Sequence, residues 1–396
     1  MEVVYAHESA PESYSRSLFL AGPTPRSADV ASWRPEALRI IERRGYDGVV
    51  FVPEPRDGNW LDGYINQIEW EEKHLHMADC ILFWIPRDLT TLPGFTTNVE
   101  WGAWQDSGKV VLGMPQDAPS TRYLRYYADK LYVDTASTLE ETINAAIQML
   151  GDGAMRSGGE RDVPLYVWRT QSFQQWYVLQ KSAGNRLDGA RVEWTFRVGP
   201  KRATVLFLAL HVDVYIAREN RHKSNDVMIA RPDIVAVVMY RRREPLDESD
   251  MVLIREFRSP AVTRDGFVHE VPGGSSFKPR GNTMHDVFAL AADECREETG
   301  LSIETTRFRM HLSRQLVATL SAHKAHLFSV ELTDGDIAYL RSQEGAAYGV
   351  AEDTERTYVE LTTLGKLKQR DDVDWSMLGM ILSVIAVALL LAMVAP

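Results

Sequence analysis

Between residues 17 and 150, short apolar runs alternate with stretches of helical spacing, and this alternation restricts the chain more than any other feature it carries. Residues 17–22 (SLFLAG) are an apolar run closed by Gly-Pro, and 32–45 (SWRPEALRIIERRG) place apolar residues at helical intervals up to Gly45. Strand, turn and helix follow. The pattern repeats as a strand over 46–55 stopped by prolines, a helix over 68–79, a strand over 80–86, a helix over 96–108, a strand over 109–115 and a closing helix over 137–150. Such alternation predicts an α/β fold whose doubly wound, mostly parallel sheet is covered by helices on both faces. Ligands of these sheets bind at the carboxyl ends of the strands.

Residues 1–16 precede this unit as an N-terminal extension, and 151–162 (GDGAMRSGGERD), rich in glycine and charge, read as a linker. Beyond it, β-branched, aromatic and apolar stretches at 163–169, 191–198, 203–217, 233–241, 251–258, 324–332 and 355–364 are interrupted by one helix-like stretch, 284–300. That mixture predicts a second, α+β domain over 163–374. A chain of 396 residues has the length for both. Its 44 Lys and Arg against 55 Asp and Glu leave a formal charge of −11, which argues against a nucleic-acid partner. Two cysteines, Cys80 and Cys295, are too few for a disulfide framework and indicate a reducing, cytoplasmic setting. The tail, 375–396, contains 19 successive uncharged residues over 377–395, enough to cross a bilayer core of about 30 Å. It reads either as a transmembrane anchor for cytoplasmic catalytic domains, or as a terminal helix buried in the core or in a homodimer.

Within 284–300, Glu294, Glu297 and Glu298 stand at i, i+3 and i+4. On a helix they share a face, about 5–6 Å apart at Cβ. Carboxylates so close repel unless a hard cation holds them, and Mg²⁺ or Mn²⁺ takes such oxygen ligands; a solvated acidic face is the alternative. A bound divalent ion bridges phosphate oxygens and activates water for pyrophosphate hydrolysis. Residues 267–274 (FVHEVPGG) followed by 293–301 (DECREETGL) resemble the Nudix hydrolase signature, in its ADP-ribose and nucleoside-diphosphate-sugar pyrophosphatase branch. The box is degenerate: Asp293 replaces an Arg, His285 stands where the family has its upstream Glu, and the spacing after Gly274 is longer. The resemblance implies metal ligation by Glu294, Glu297 and Glu298, joined by Glu352, or else Asp353 or Glu355, of a later acidic loop that supplies a further ligand or a general base. It also implies catalysis by Glu294 and Glu297 and substrate contacts from Arg255 and Arg258 in residues 251–261 (MVLIREFRSPA).

In the first domain, Asp79 ends a helix just before an apolar strand and Glu100 lies near the start of the helix that follows it. The expectation is that both lie near the carboxyl edge of the sheet. A helix dipole favours an ionised Glu100, and a carboxylate attacks an anomeric carbon to give a glycosyl-enzyme intermediate; a helix-capping role is the alternative. Backbone N–H groups around Gly22 suit a ribose or a phosphate. Residues 17–25 (SLFLAGPTP), 67–88 (QIEWEEKHLHMADCILFWIPRD) and 96–115 (TTNVEWGAWQDSGKVVLGMP) resemble the nucleoside 2-deoxyribosyltransferase-like family. The resemblance implies Glu100 as nucleophile, Asp79 as the second acid, and substrate contacts from Gly22 and Asn98. Leu18 and Gly94 stand where classical members have a Tyr and an Asp. Trp70, Trp84, Trp101 and Trp104 either stack on a base or fill the core.

Together the two constellations predict a nucleotide-processing enzyme acting on a small nucleoside or nucleotide. One domain cleaves or transfers an N-glycosidic bond and the other hydrolyses a nucleoside-diphosphate linkage with Mg²⁺ or Mn²⁺. The competing expectation is a membrane-tethered nucleotide sensor with an inactive Nudix fold.

Overall fold

The computed structural model describes residues 1–25, 27, 29–58, 64–275, 284–349 and 355–394. The chain divides into two compact units, Met1–Ile229 and Ala230–Pro396.

The first unit begins β1 (Glu2–Tyr5), β2 (Ser13–Tyr14), β3 (Ser17–Ala21), α1 (Arg34–Arg43), β4 (Val49–Val52), α2 (Tyr64–Met77), β5 (Cys80–Trp84), α3 (Phe95–Trp104), β6 (Val110–Gly113), α4 (Arg122–Leu131), β7 (Thr135–Ala136) and α5 (Leu139–Leu150). Six of these strands pair in the order β1-β4-β3-β5-β6-β7, every pair parallel. Side chains alternate between the two faces of a strand. Phe19, Ile81 and Phe83 therefore pack with Trp70, Trp101 and Leu124 on one side. Leu18, Leu20 and Leu82 pack with Ile40, Ile41 and Ile143 on the other. Both faces being covered, β3, β4, β5 and β6 are buried along their whole length and read in sequence as continuous apolar runs.

Four expectations are corrected here. The N-terminal extension supplies β1, an edge strand of the sheet with Glu2 opposite Val49. The segment 151–162 is no linker: β8 (Arg156–Ser157) pairs with β2, a 3-10 turn over Gly158–Asp162 is capped by Ser157 and Glu160, and Arg156 is fully buried. The apolar stretch 163–169 forms α6 (Leu165–Trp168), followed by α7 (Gln171–Ser182). A three-stranded sheet of β9 (Arg186–Val198), β10 (Thr204–Ile216) and β11 (Arg221–Ala230), in the order β11-β10-β9, completes the unit. The strand-rich lead-in through residue 229 thus belongs with the first unit.

The second unit runs β12 (Ile234–Arg241), β13 (Asp250–Phe257), β14 (Phe267–Glu270), β15 (Gly273–Gly274), α8 (Met284–Thr299), β16 (Arg309–Met310), β17 (Arg314–Gln315), β18 (Lys324–Glu331), α9 (Asp334–Ser342), β19 (Ala347–Tyr348), β20 (Thr357–Thr363), α10 (Leu364–Leu367) and α11 (Trp375–Val394). Its sheet is mixed, with β12 parallel to β18 and antiparallel to β13. Ala291 and Cys295 of α8 and Ile337 and Leu340 of α9 pack on one face. Met377, Ile381, Val384 and Ile385 of α11 pack on the other, with Val238, Tyr240 and Leu253. The tail is therefore a docked helix, and among the described residues no helix is long and apolar enough to cross a membrane. This overturns the transmembrane-anchor expectation: one face of α11 is committed to the sheet.

Candidate functional site

The sheet order reverses at β3, whose successor β4 lies on one side while β5 lies on the other. In an open parallel sheet this switch point leaves a crevice outside the strand ends, flanked by the two connections that diverge there. The backbone of β3 leaves the sheet at Gly22, with φ +149°. A Cβ at that position would stand 2.2 Å from the Trp84 carbonyl oxygen, so the ends of β3 and β5 approach as only glycine allows.

Arg34, at the start of α1 and 1% exposed, fixes this turn. Its Nε donates to the Leu20 carbonyl at 3.1 Å, its Nη2 to the Gly22 carbonyl at 2.8 Å and its Nη1 to Thr24 Oγ1 at 3.2 Å. The charge is balanced by Glu54, beyond β4, at 2.5 Å. Gly94 begins α3 with φ +63°, where a Cβ would lie 3.3 Å from Pro23 Cβ. The start of α3 thus sits against the turn that follows β3.

Glu100, half-buried on α3, is pushed up to about 7 by burial first and then by the neighbouring Glu71 carboxylate, with Arg34 opposing. Glu71, on α2, is itself raised by burial, while Gln67 Nε2 donates to its Oε1 at 2.7 Å. Two carboxylates of unlike surroundings beside a guanidinium at the mouth of a crevice form the arrangement that divides acid and base roles.

Beyond β5, Arg87 donates from Nη1 to the Ser120 carbonyl at 2.9 Å and from Nη2 to Asn98 Oδ1 in the first turn of α3. Asn98 itself is exposed.

Asp79 is not part of this group. A residue immediately before a parallel strand lies at the amino edge, opposite the crevice. There it is fully buried and saturated: Ser17 donates from N and Oγ at 2.9 and 3.1 Å, Leu165 N–H at 2.9 Å, and Arg156 from Nη1 and Nη2 at 2.8 and 2.5 Å. Its place is structural, which corrects the expected catalytic role. Trp70, Trp84 and Trp101 are buried in the core packing.

Sequence reasoning missed Arg34, Glu71 and Arg87. For Glu71 a signal exists: Gln67, Trp70, Glu71 and His74 share the inward stripe of α2, and two polar groups and a histidine on such a stripe need a purpose. Arg87 carries no comparable pattern.

In the second unit, Glu298 of α8 is 3% exposed and accepts the Gly273 N–H at 2.8 Å. Its pKa lies well above the carboxylate range, raised by burial first, then by Glu294, Glu270 and Glu355. The Glu294 carboxylate lies against Gly274, where a Cβ would meet it at 2.7 Å. Glu256, buried on β13, is pushed up to about 7 by burial; Arg258 contacts both it, at 2.8 Å, and Glu355, at 3.2 Å. Two expected members stand apart. Glu297 is exposed and contacts Arg296 at 3.4 Å, and Arg255 lies over the rings of Phe267 and Tyr358, on the opposite strand face from Glu256. Glu352 and the side chain of His285 lie outside the described residues. Among the described residues no three His, Cys, Asp or Glu side chains are arranged to hold a metal ion.

Residues 15–118 match the model of a family described as nucleoside 2-deoxyribosyltransferase like. The match covers less than half of the chain, but it contains Gly22, Arg34, Glu71, Arg87 and Glu100, so the crevice belongs to a nucleoside 2-deoxyribosyltransferase-like domain. None of the curated proteins compared with the chain matches it.

Proposed function

We propose that the first unit cleaves or transfers the N-glycosidic bond of a nucleoside-type substrate, with Glu100 as nucleophile and Glu71 as the proton-moving partner. The observation that carries this reading is that Glu100 and Glu71, both raised by burial, each feel the Arg34 charge that fixes the turn at the switch point, and that the Glu71 charge raises Glu100 further. An ionised Glu100 oxygen attacks the anomeric carbon as the bond to the base nitrogen breaks, and its electrons leave with the base. Protonated Glu71, its pKa raised by burial, donates a proton to that nitrogen. Water or a second base then attacks the glycosyl ester, its proton passes to the Glu71 carboxylate, and Glu100 is released. The test is release of free base, followed by chromatography, together with capture of the glycosyl-Glu100 ester by mass spectrometry. Glu100→Ala is expected to abolish both, and Glu71→Gln to slow base release by about 10²–10⁴-fold. Unchanged release from Glu100→Ala overturns the assignment.

A second reading concerns the other unit, where mutual repulsion among Glu294, Glu298, Glu270 and Glu355 supports the Nudix-like expectation. The donor chemistry suits a hard divalent cation, Mg²⁺ or Mn²⁺, with Glu294 and Glu298 as its holders. Such an ion supplies Lewis-acid polarisation of a diphosphate linkage. Paramagnetic resonance of added Mn²⁺ tests this: bound signal in the native protein and its loss in Glu298→Gln support it, and no bound signal overturns it. Nucleotide binding without turnover by a Mn²⁺-loaded protein favours the sensor function for this unit.

A further inference from the structure

Gln67 lies on α2 one turn before Glu71, and residues at i and i+4 are neighbours on a helix surface. It is 6% exposed, and its Nε2 donates to the Pro53 carbonyl at 3.3 Å and to Glu71 Oε1 at 2.7 Å. Pro53 and Glu54 are successive residues beyond β4, so the end of that strand anchors Gln67 through one and Arg34 through the other. The amide can sit only one way round. A carbonyl oxygen accepts and never donates, so the amide nitrogen must face Pro53, and the second hydrogen on that nitrogen is the one that reaches Glu71. Turned over, the amide would set its oxygen against the Pro53 carbonyl. The orientation leaves Gln67 Oε1 buried with no partner among the described residues. An unsatisfied buried oxygen is costly, and a leucine or methionine would fill the place without one, so packing does not account for the glutamine.

The consequence falls on Glu71. Its Oε1 already accepts an N–H, which leaves no room for a proton on that side, so a protonated Glu71 carries its proton on Oε2. We propose that Gln67 is a positioning residue for the glycosidic reaction: it holds Glu71 Oε1 as an acceptor throughout, so that the proton given to the departing base leaves from Oε2 and the proton of the attacking water or second base returns there. This rests on the glycosidic reading of Glu100 and Glu71. As the bond between the anomeric carbon and the base breaks, its electron pair goes to the base nitrogen, which takes the Oε2 proton. The carboxylate that remains keeps the Gln67 N–H, which favours its charged form: burial raises Glu71, and this hydrogen bond is the largest influence opposing it.

The test uses two kinds of leaving group, because a proton donor matters only where the leaving group needs its proton. Native protein, Gln67→Leu and Gln67→Met are given 2′-deoxyadenosine and 2′-deoxycytidine, whose bases need a proton to depart, and 4-nitrophenyl 2-deoxyriboside, whose nitrophenolate leaves without one. Both variants are expected to lower kcat for base release about 10²-fold with KM little changed, the cost of a misplaced donor. They are expected to keep native nitrophenolate release, which also shows that they are folded. Equal slowing of both kinds of substrate by folded variants, or no slowing of either, overturns the positioning role and leaves the glycosidic reading standing. Native protein that releases neither base nor nitrophenolate overturns the glycosidic reading, and the catalytic use of the proton with it. The hydrogen bond is decided without turnover, by carbon-13 NMR titration of the Glu71 carboxyl, identified by its loss in Glu71→Gln. A pKa higher in Gln67→Met than in native protein supports the bond, and an unchanged one overturns it.

Discussion

A carboxyl group held up to about 7 has two consequences of opposite sign. As the proposed nucleophile Glu100 works only when ionised and Glu71 only when protonated, so kcat/KM is expected to be bell-shaped in pH, falling on acidification as Glu100 takes a proton and on the alkaline side as Glu71 loses its own, a profile read directly from base-release rates. For stability, the folded chain keeps a proton between pH 4.5 and 7 that the unfolded chain gives up. The contribution of this group is complete below about 4.5 and is lost as pH rises through about 7. Glu100→Gln is therefore expected to stabilise the protein at pH 8, by at most about 3 kcal/mol, and to change little at pH 4, as measured by urea unfolding at both values. At this scale the sequence showed Glu100 through its place on a helix following an apolar strand. It misplaced Asp79, because the residue before a strand and the residue after it lie at opposite edges of the sheet. Arg87 was illegible, since the absence of a counter-ion among the described residues is a property of three-dimensional neighbours.

Among the elements, the buried Asp79–Arg156 pair joins the sheet to a segment that composition presents as a linker. Removing one partner strands the other charge in the core, so Asp79→Asn or Arg156→Met is expected to cost about 3–5 kcal/mol in a denaturant titration. The double variant Asp79→Leu/Arg156→Met is expected to recover much of that loss, because an apolar pair leaves no charge behind. The strands of the parallel sheet were readable because burial on both faces writes itself as an apolar run. β1 was hidden in a polar N-terminal stretch, as edge strands are. The run at 163–169 is too short for periodicity to separate strand from helix, and tertiary packing made it α6. In the second unit the helix spacing correctly joined Glu294 to Glu298, while Glu297, one position away, turned to solvent.

For the molecule as a whole, α11 is what closes the second unit. It buries Met377, Ile381, Val384 and Ile385, each worth about 1.5–3 kcal/mol, a sum comparable with the net stability of an ordinary domain. A chain stopped after Asp374 is expected to lose the unfolding transition of the second unit in calorimetry and to keep that of the first. Survival of both transitions overturns the structural role given to α11. The tail's uncharged run could not be assigned from sequence, because a helix docked on a sheet and a helix in lipid need much the same residues. The pair at the amino edge of the first sheet also has a history in time. Arg156 is made 77 residues after Asp79, a delay of roughly 4–15 s at ordinary ribosomal speeds. Until then the nascent chain holds, buried at the amino edge of its sheet, an acid whose partner has not been translated. The segment that carries the crevice is thus synthesised early and finished late, and its last fastening waits for residues outside the family match.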